Sequence, residues 1–543
     1  MDNDDPVATT ALERFNAPYL FPYQRLAIVN VLDTIGIAEG GLAASLESEE
    51  TPPARQVVVL PTGYGKSLCF QLPALLVDGV TIVVYPLIGL MNDQARGLSA
   101  RGIAHVTFKG GMSAADRFEA FRLLEEKEAK IAIVNPESLA LPAVLERISS
   151  LKVAHVVIDE AHCVSEWGDT FRPAYLELGR LIERIRPAFV SAFTATASPA
   201  VIARISEILF PDAIFRLVAG IPDRPNIHYS VQSALSLGRA LRKEVARMPK
   251  PLLVFTSSRS GVEILAEDLA EYLPRDTVRF YHAGLSKPER TAIEEWFFTS
   301  RDGVLFATCA YGLGIDKPDI RSVIHVGTPA SVESYLQESG RAGRDGLPSE
   351  ALLLREASPS DFHDAASKGL GTITTMREKT LDASAAYSRK ETMRRYAHDA
   401  YPCRRNFLLG AMVLGGESNE ACAGCDRCKG NEHREPEGAA EIIALTRLHP
   451  RRFDLAQAAS FLAGRVGSPI AALSSALADW AGDEIAEALV LAQRIGMIRS
   501  DRYGPWRRLL KPARRGMLNR ESGRHPRPGN HRRPADSPGV RVS

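Results

Sequence analysis

Three runs of apolar, largely β-branched residues, "RQVVVLPTG", "VTIVVYPL" and "AHVVIDEAH", are each bounded by turn residues and separated by stretches of helical period. Runs without polar alternation predict strands buried on both faces, as in a parallel sheet covered by helices. A second set, "KPLLVFTSSR", "VRFYHAG", "GVLFATCAYG" and "VIHVGTP", predicts a second α/β lobe. The break between them falls near "AGIPDRPNIHYSV", where Pro222 and Pro225 interrupt regular structure. From about residue 360 to 433 the pattern turns charged and helical and ends in a group of cysteines. Beyond it, "GAAEIIALTRL" and "GDEIAEALVLAQRIG" have the spacing of amphipathic helices, and "MIRSDRYGPWRRLLKPA" predicts two short strands joined at Gly504 and Pro505. The expected division is 1–218, 219–360, 361–434, 435–512 and a tail at 513–543.

Composition adds little to this picture except by exclusion. The chain has 543 residues, 45% hydrophobic and 24% charged, ordinary values for a multidomain soluble protein. Its longest apolar runs are too short to span a bilayer, and "MDNDDPVATT" lacks the basic and apolar parts of a secretory signal, so a cytoplasmic protein without a membrane partner is expected. The net charge of +1 hides a basic tail with Arg514, Arg515, Arg520, Arg524, Arg527, Arg532, Arg533 and Arg541. Such a tail is either a simple solvated segment or a loose holder of nucleic-acid phosphates. Helices followed by a basic hairpin suggest a winged helix that binds DNA, with a plain helical stability domain as the other reading.

Chemistry enters at the ends of the first-lobe strands. "LPTGYGKSLCF" follows a strand and opens a helix. Thr62, Gly63 and Gly65 would let backbone N–H groups reach phosphate oxygens, Lys66 the β/γ-phosphates, and Ser67 a Mg²⁺ ion. The general phosphate-loop pattern has another glycine where Leu60 stands. "VVIDEAH" ends a second strand in Asp159 and Glu160, a candidate Mg²⁺ carboxylate and a candidate base for an attacking water. The two motifs in this order predict ATP hydrolysis. Far downstream, "SYLQESGRAGRDG" gathers Gln337, Arg341 and Arg344, whose guanidinium groups suit a transferring phosphoryl if the second lobe closes on ATP.

These blocks, with "VVYPLIGLMNDQ", "VNPESL", "DEAHCVSEWGDTFRP", "FTATAS" and "FATCAYGLGIDKPDIRSVIH", closely resemble superfamily 2 helicases, and within them the RecQ family, from about residue 12 to the cysteines. The resemblance implies two RecA-like parallel-sheet lobes, a helical zinc-binding platform and a winged-helix-like domain. It implies an ATP-dependent helicase moving 3′ to 5′ on single-stranded DNA and opening duplex or forked DNA, with other DNA repair or defence proteins as candidate partners. Gln24 falls at the base-reading glutamine, although Ala17 and Phe21 replace the family's tyrosine and arginine nearby. Gly314 and Asp316 would face the nucleotide. His162, Trp167, Phe171, Arg172, Thr194 and Thr196 would couple the ATP site to DNA, although Glu166, Asp169 and Thr170 depart from the family pattern in that loop.

Of seven cysteines, Cys403, Cys422, Cys425 and Cys428 form one upstream thiolate and a C-x2-C-x2-C triplet. Four soft ligands predict a closed tetrahedral Zn²⁺ site that supports folding. The triplet also opens a ferredoxin-type run but lacks its downstream Cys-Pro, and unliganded thiols are the third possibility. Cys69, Cys163 and Cys309 sit in apolar blocks and are expected to fill cores. Two other readings of the whole chain stay open: a DNA translocase or remodeler that does not separate strands, and a DNA-binding adaptor with a vestigial ATPase.

Overall fold

The computed structural model describes residues 5–38, 54–61, 63–166, 173–211, 213–220, 223–308, 317–362, 384–398, 401–412, 422, 424–429, 435–465, 473–501 and 503–513. They gather into two compact units, one drawn from 1–232, 237–355 and 375–434, the other from 233–236, 356–374 and 435–543.

The first unit contains two sheets. In chain order the first sheet has β1 (Arg55–Val59), β2 (Val80–Val84), β3 (His105–Phe108), β4 (Ile131–Val134), β5 (Val153–Ile158), β6 (Phe189–Thr194) and β7 (Arg216–Ala219), arranged β3-β4-β2-β5-β6-β1-β7. Every pairing is parallel. Successive side chains leave a strand on opposite faces, and here both faces are covered. Val57, Val59, Ile82, Val84, Val156 and Ile158 join one core with Phe121 and Leu124, while Val58, Val83 and Val157 join another with Phe70 and Met91. Double coverage is the physical reason for the unbroken apolar runs. The three runs evident in the sequence are β1, β2 and β5, three of seven strands.

The second sheet has β8 (Ile227–Ala234), β9 (Leu252–Thr256), β10 (Val278–Tyr281), β11 (Val304–Ala307), β12 (Ser322–Val326) and β13 (Ser349–Glu356), arranged β10-β11-β9-β12-β13-β8. The four expected strands are β9 to β12, and β8 and β13 are additions. Beside this sheet lie the helices Ser384–His398 and Arg404–Gly410, whose Met393, Tyr396 and Leu408 share a core with Tyr229, Leu253 and Tyr335.

The second unit places the helices Ala439–Leu448, Leu455–Leu462 and Gly482–Arg494 before an antiparallel hairpin of β14 (Ile498–Ser500) and β15 (Leu510–Pro512). Ile442, Phe461, Ile485, Leu489, Ile498 and Leu510 form its core. The Leu455–Leu462 helix starts at a capping box in which Asp454 and Gln457 accept each other's backbone N–H at 2.8 and 3.1 Å. The expected turn holds Gly504 at φ 83°, and Tyr503 and Trp506 stand exposed at its tip. The helices followed by a basic hairpin occur in the order expected from the sequence. Among the described residues, no helix is long and apolar enough to cross a membrane.

Candidate active site

Parallel register brings three loops to one edge of the first sheet. β1 pairs with β6 so that Val59 lies opposite Thr194, and β5 pairs with β6 so that Ile158 lies opposite Ala192. The ladder runs one step past the strands: Leu60 N–H donates to Thr194 O at 3.0 Å, Asp159 N–H to Val84 O at 3.0 Å, and Ala161 N–H to Phe193 O at 2.7 Å. The glycine loop, the two carboxylates and the "TAT" turn therefore emerge side by side at the carboxyl ends of the strands, where open α/β sheets bind ligands.

The glycine loop needs its glycines. Gly63 has φ 86° and Gly65 φ 69°. Gly65 is the N-cap of the helix Lys66–Leu76, whose N-terminal backbone N–H groups and dipole favour an anion. A Cβ at Gly65 would also lie 2.6 Å from Gln24 Nε2. We expect Gly65→Ala to destabilise the loop by about 1–3 kcal/mol and to weaken ATP binding, as calorimetric titration would report. Unchanged affinity would separate this loop from the nucleotide. Leu60, standing where another glycine occurs in the general motif, is fully buried and serves the core instead.

Gln24, buried, accepts from Phe21 N–H at 2.9 Å through Oε1 and donates to Tyr64 O at 3.0 Å through Nε2. It fastens the N-terminal arm to the glycine loop. Around it Phe21 stacks on Tyr23 at 5.5 Å and 8°, with Tyr19 and Tyr64 5.5 and 6.5 Å from Phe21. Tyr19 and Phe21 are exposed, so the arm presents an aromatic surface beside the loop.

The carboxylates sit in a charged pocket. Glu160 has φ 49°, a left-handed backbone that turns its side chain toward Lys66, with Oε1 3.8 Å from Nζ. His162 Nδ1 lies 3.3 Å from Glu160 Oε2 and 3.1 Å from Thr194 Oγ1. Thr194 gives its hydroxyl proton to Thr196 O at 2.9 Å, so its oxygen accepts and His162 Nδ1 must donate. Hydrogen bonds thus run from His162 through Thr194 to Thr196, and Glu160 lies in close contact with the His162 end, all buried or nearly so. Burial pushes the Glu160 carboxyl up, but Lys66, His162, Arg341 and Arg344 together hold it below the usual carboxylate range. Asp159 goes the other way, raised first by burial and then by the charge of Glu160. Opposed shifts in neighbouring carboxylates separate a group kept ionised from one that calls for a cation.

The second sheet supplies the facing wall. Gln337 lies on the helix Val332–Ser339, and Arg341 and Arg344 in the turn that follows. They line one cleft of about 930 Å³ together with Gly63, Gly65, Lys66, Ser67, Asp159 and Glu160. Phosphate-binding donors, a base and arginines around one cavity can bind a nucleoside triphosphate and stabilise charge on a transferring phosphoryl.

The cysteines come together elsewhere on the same unit. The Sγ atoms of Cys403, Cys422, Cys425 and Cys428 lie within 4.8 Å of one another. A tetrahedral zinc with sulfurs at about 2.3 Å has them about 3.8 Å apart, so a small contraction suffices. Cys403 Sγ accepts from Asn406 N–H and Cys425 Sγ from Cys428 N–H, both at 3.4 Å. For Cys425, burial pushes the thiol up, but backbone N–H groups of Cys428, Arg404 and Arg427 more than reverse it. The donor set fits zinc. Cys69 and Cys163 are fully buried, as core fillers should be.

Thr62, Trp167, Phe171, Arg172, Cys309, Gly314, Asp316 and the tail from 514 lie outside the described residues. The sequence reading had passed over Tyr64, which bonds Gln24 through its carbonyl, and Tyr85, fully buried next to Asp159 and raised well above its usual range by burial and by both carboxylates. Arg224 likewise bonds the carbonyls of Gly340, Ala342 and Gly343, in the turn that holds Arg341 and Arg344. An aromatic within the glycine loop was the one available signal; the others depend on contacts remote in sequence.

This arrangement defines a class. Residues 22–205 match the DEAD/DEAH box helicase family, and residues 237–346 the helicase conserved C-terminal domain. The chain is 32% identical over 418 residues to the ATP-dependent DNA helicase RecQ of Bacillus subtilis, covering 75% of this chain and 67% of that one. Against the RecQ of Synechocystis it is 36% identical over 332 residues, 58% of this chain and 67% of that one. The chain belongs to the RecQ family of helicases. It is 35% identical over 373 residues, 68% of its own length, to the RecQ of Haemophilus influenzae, and it spans 58% of the length of that relative and 63% of the Pasteurella multocida RecQ. The same fold occurs in the DUF1998 helicase MrfA bound to DNA (TM-score 0.51, 22% identity, 66% of this chain and 49% of that one). It occurs also in Mss116p bound to ssRNA and AMP-PNP (TM-score 0.51, 18% identity, 74% and 81%).

Proposed function

We propose that this chain is an ATP-dependent DNA helicase that tracks 3′ to 5′ along one strand and separates duplex or forked DNA. The observation that carries the reading is the single cleft lined by Lys66, Asp159 and Glu160 from one sheet and Gln337, Arg341 and Arg344 from the other. ATP lies there with its phosphates on the loop at Gly63 and Gly65 and on Lys66. Ser67 and Asp159 would hold Mg²⁺, which would supply positive charge to the phosphates. Glu160, kept ionised by its cationic neighbours, takes the proton of the attacking water, and Arg341 and Arg344 neutralise charge on the moving phosphoryl.

The contact of Glu160 with His162, and the hydrogen bonds from His162 to Thr194 and Thr196, support coupling, because together they lead from the base to a turn at the same sheet edge. Single-stranded DNA on that side biases the chain and so sets hydrolysis. Zn²⁺ held by Cys403, Cys422, Cys425 and Cys428 contributes folding free energy. The exposed hairpin tip, with Tyr503, Trp506, Arg507 and Arg508, offers aromatic and cationic contacts to the duplex. ATP turnover and strand displacement measured together on 3′-tailed and 5′-tailed duplexes test the whole reading. Unwinding confined to the 3′ tail is expected. Hydrolysis with both duplexes left intact would mean translocation alone, and equal unwinding of both would defeat the polarity.

A further inference from the structure

The linker between the two sheets, residues 223–226, makes contacts that nucleotide chemistry alone does not require. Arg224 Nη1 donates to Gly340 O at 2.9 Å, and its Nη2 to Ala342 O at 2.9 Å and Gly343 O at 2.7 Å. Asn226 Nδ2 adds bonds to Gly343 O at 2.8 Å and Leu347 O at 2.9 Å. These carbonyls belong to the turn that carries Arg341 and Arg344. The turn presses on the linker closely: Gly343 has φ 55°, and a Cβ there would lie 2.5 Å from Asn226 Nδ2 and 2.5 Å from Ser349 Oγ. The linker is itself anchored. The Asp223 carboxylate accepts from Arg405 Nε at 2.7 Å and pairs with its Nη2. Arg405 lies two residues past Cys403, which caps the helix Arg404–Gly410. The Tyr64 hydroxyl of the glycine loop reaches Asp223 O at 3.4 Å.

We infer that Arg224 is a positioning residue for the arginine-bearing turn, held in place by the Asp223–Arg405 pair. The inference rests on the reading above that Arg341 and Arg344 act on ATP. A guanidinium offers donors from two nitrogens in a fixed plane, and here that fork spans three carbonyls of one non-helical turn. It fixes the orientation of the backbone that carries the two arginines. Removing it takes a donor from each of the three carbonyls, leaving Gly343 O with Asn226 and Gly346 N–H, and loosens the turn; a misplacement of about 1 Å in a catalytic group can lower turnover by about 100-fold. Lysine keeps the charge but donates from a single point, so it can serve only part of the turn.

The test compares R224A, R224K and D223N with R341A as a reference, in the full chain with single-stranded DNA present. Three quantities are measured: kcat, KM for ATP, and affinity for ADP with and without aluminium fluoride, which imitates the phosphoryl in flight. For R224A we expect kcat to fall about 10–100-fold while KM and ADP affinity stay within about twofold. Affinity for the ADP–aluminium fluoride complex should fall in step with kcat. R224K should recover part of the loss, and D223N should show a smaller loss in the same quantities. If R224A does not fold, R224K and D223N carry the comparison. Wild-type kcat in these variants, or losses shared equally by KM and ADP affinity, overturn the inference. If R341A itself keeps wild-type turnover, the functional reading fails; if R341A is inactive and R224A is not, only the positioning role fails.

Discussion

Glu160→Gln lowers DNA-stimulated ATP turnover by about 10²–10⁴-fold, the contribution of a positioned general base, while ATP still binds. Amide for carboxylate is nearly isosteric, so the φ 49° backbone and the neighbouring Asp159 are undisturbed. What disappears is the negative charge of a carboxylate whose oxygens lie 3.8 Å from Lys66 Nζ and 3.3 Å from His162 Nδ1. Gly63, Gly65, Lys66 and Ser67 remain to hold phosphate, and removal of a negative charge from the pocket leaves ATP affinity equal or tighter. Turnover and equilibrium ATP binding measured on the same preparation check both halves. Turnover preserved within a few-fold would move the base elsewhere in the cleft.

With zinc on the four cysteines as proposed, Cys425→Ser is expected to lose the metal and unfold the region around it. Cys425 is fully buried in the second core, and the backbone next to it is stitched to β8, with Asp426 N–H donating to Tyr229 O at 3.0 Å and Asp426 Oδ2 accepting from Val231 N–H at 3.1 Å. Arg404 joins the same patch, reaching Asp426 at 3.2 Å and Tyr396 O at 2.7 Å. In isolated zinc modules, metal-binding free energy of about 10–16 kcal/mol is folding free energy. The loss here should therefore show as zinc falling from about one equivalent per chain to a small residue, with an unfolding midpoint lowered by many degrees. Elemental analysis and thermal unfolding report the two. A variant that retains its metal would exclude Cys425 as a ligand.

Of the strands that could be foreseen, β1, β2, β5, β9, β11 and β12 are buried almost throughout, which writes a nearly uninterrupted apolar run, while β10 is only partly buried. β7 lies at the edge of the first sheet with one buried residue in four, and β8 is largely half-buried, so neither writes such a run. β4 and β6 are wholly buried, but β4 has only four residues and β6 carries Ser191 and Thr194 within it. The phosphate loop and the carboxylate pair were visible for a different reason, since each packs its chemistry into a few consecutive positions. Gln337, Arg341 and Arg344 were visible as a group, but their place in the cleft follows from tertiary structure. Arg224 was not visible at all. Its partners lie 116 to 119 residues away, and a guanidinium that bonds backbone carbonyls has no partner residue type to betray it.

The Gln24 amide has a consequence for the choice of base. Phe21 N–H can only donate and Tyr64 C=O can only accept, so the two ends of the amide cannot exchange places. One N–H and one lone pair remain on its outer edge, in a fixed left-to-right order. Adenine offers a matching acceptor and donor at N7 and N6, whereas guanine offers two acceptors there. A purine entering beside Phe21 would meet that order already set, on the same arm that holds the carbonyl of Tyr64 next to Gly65.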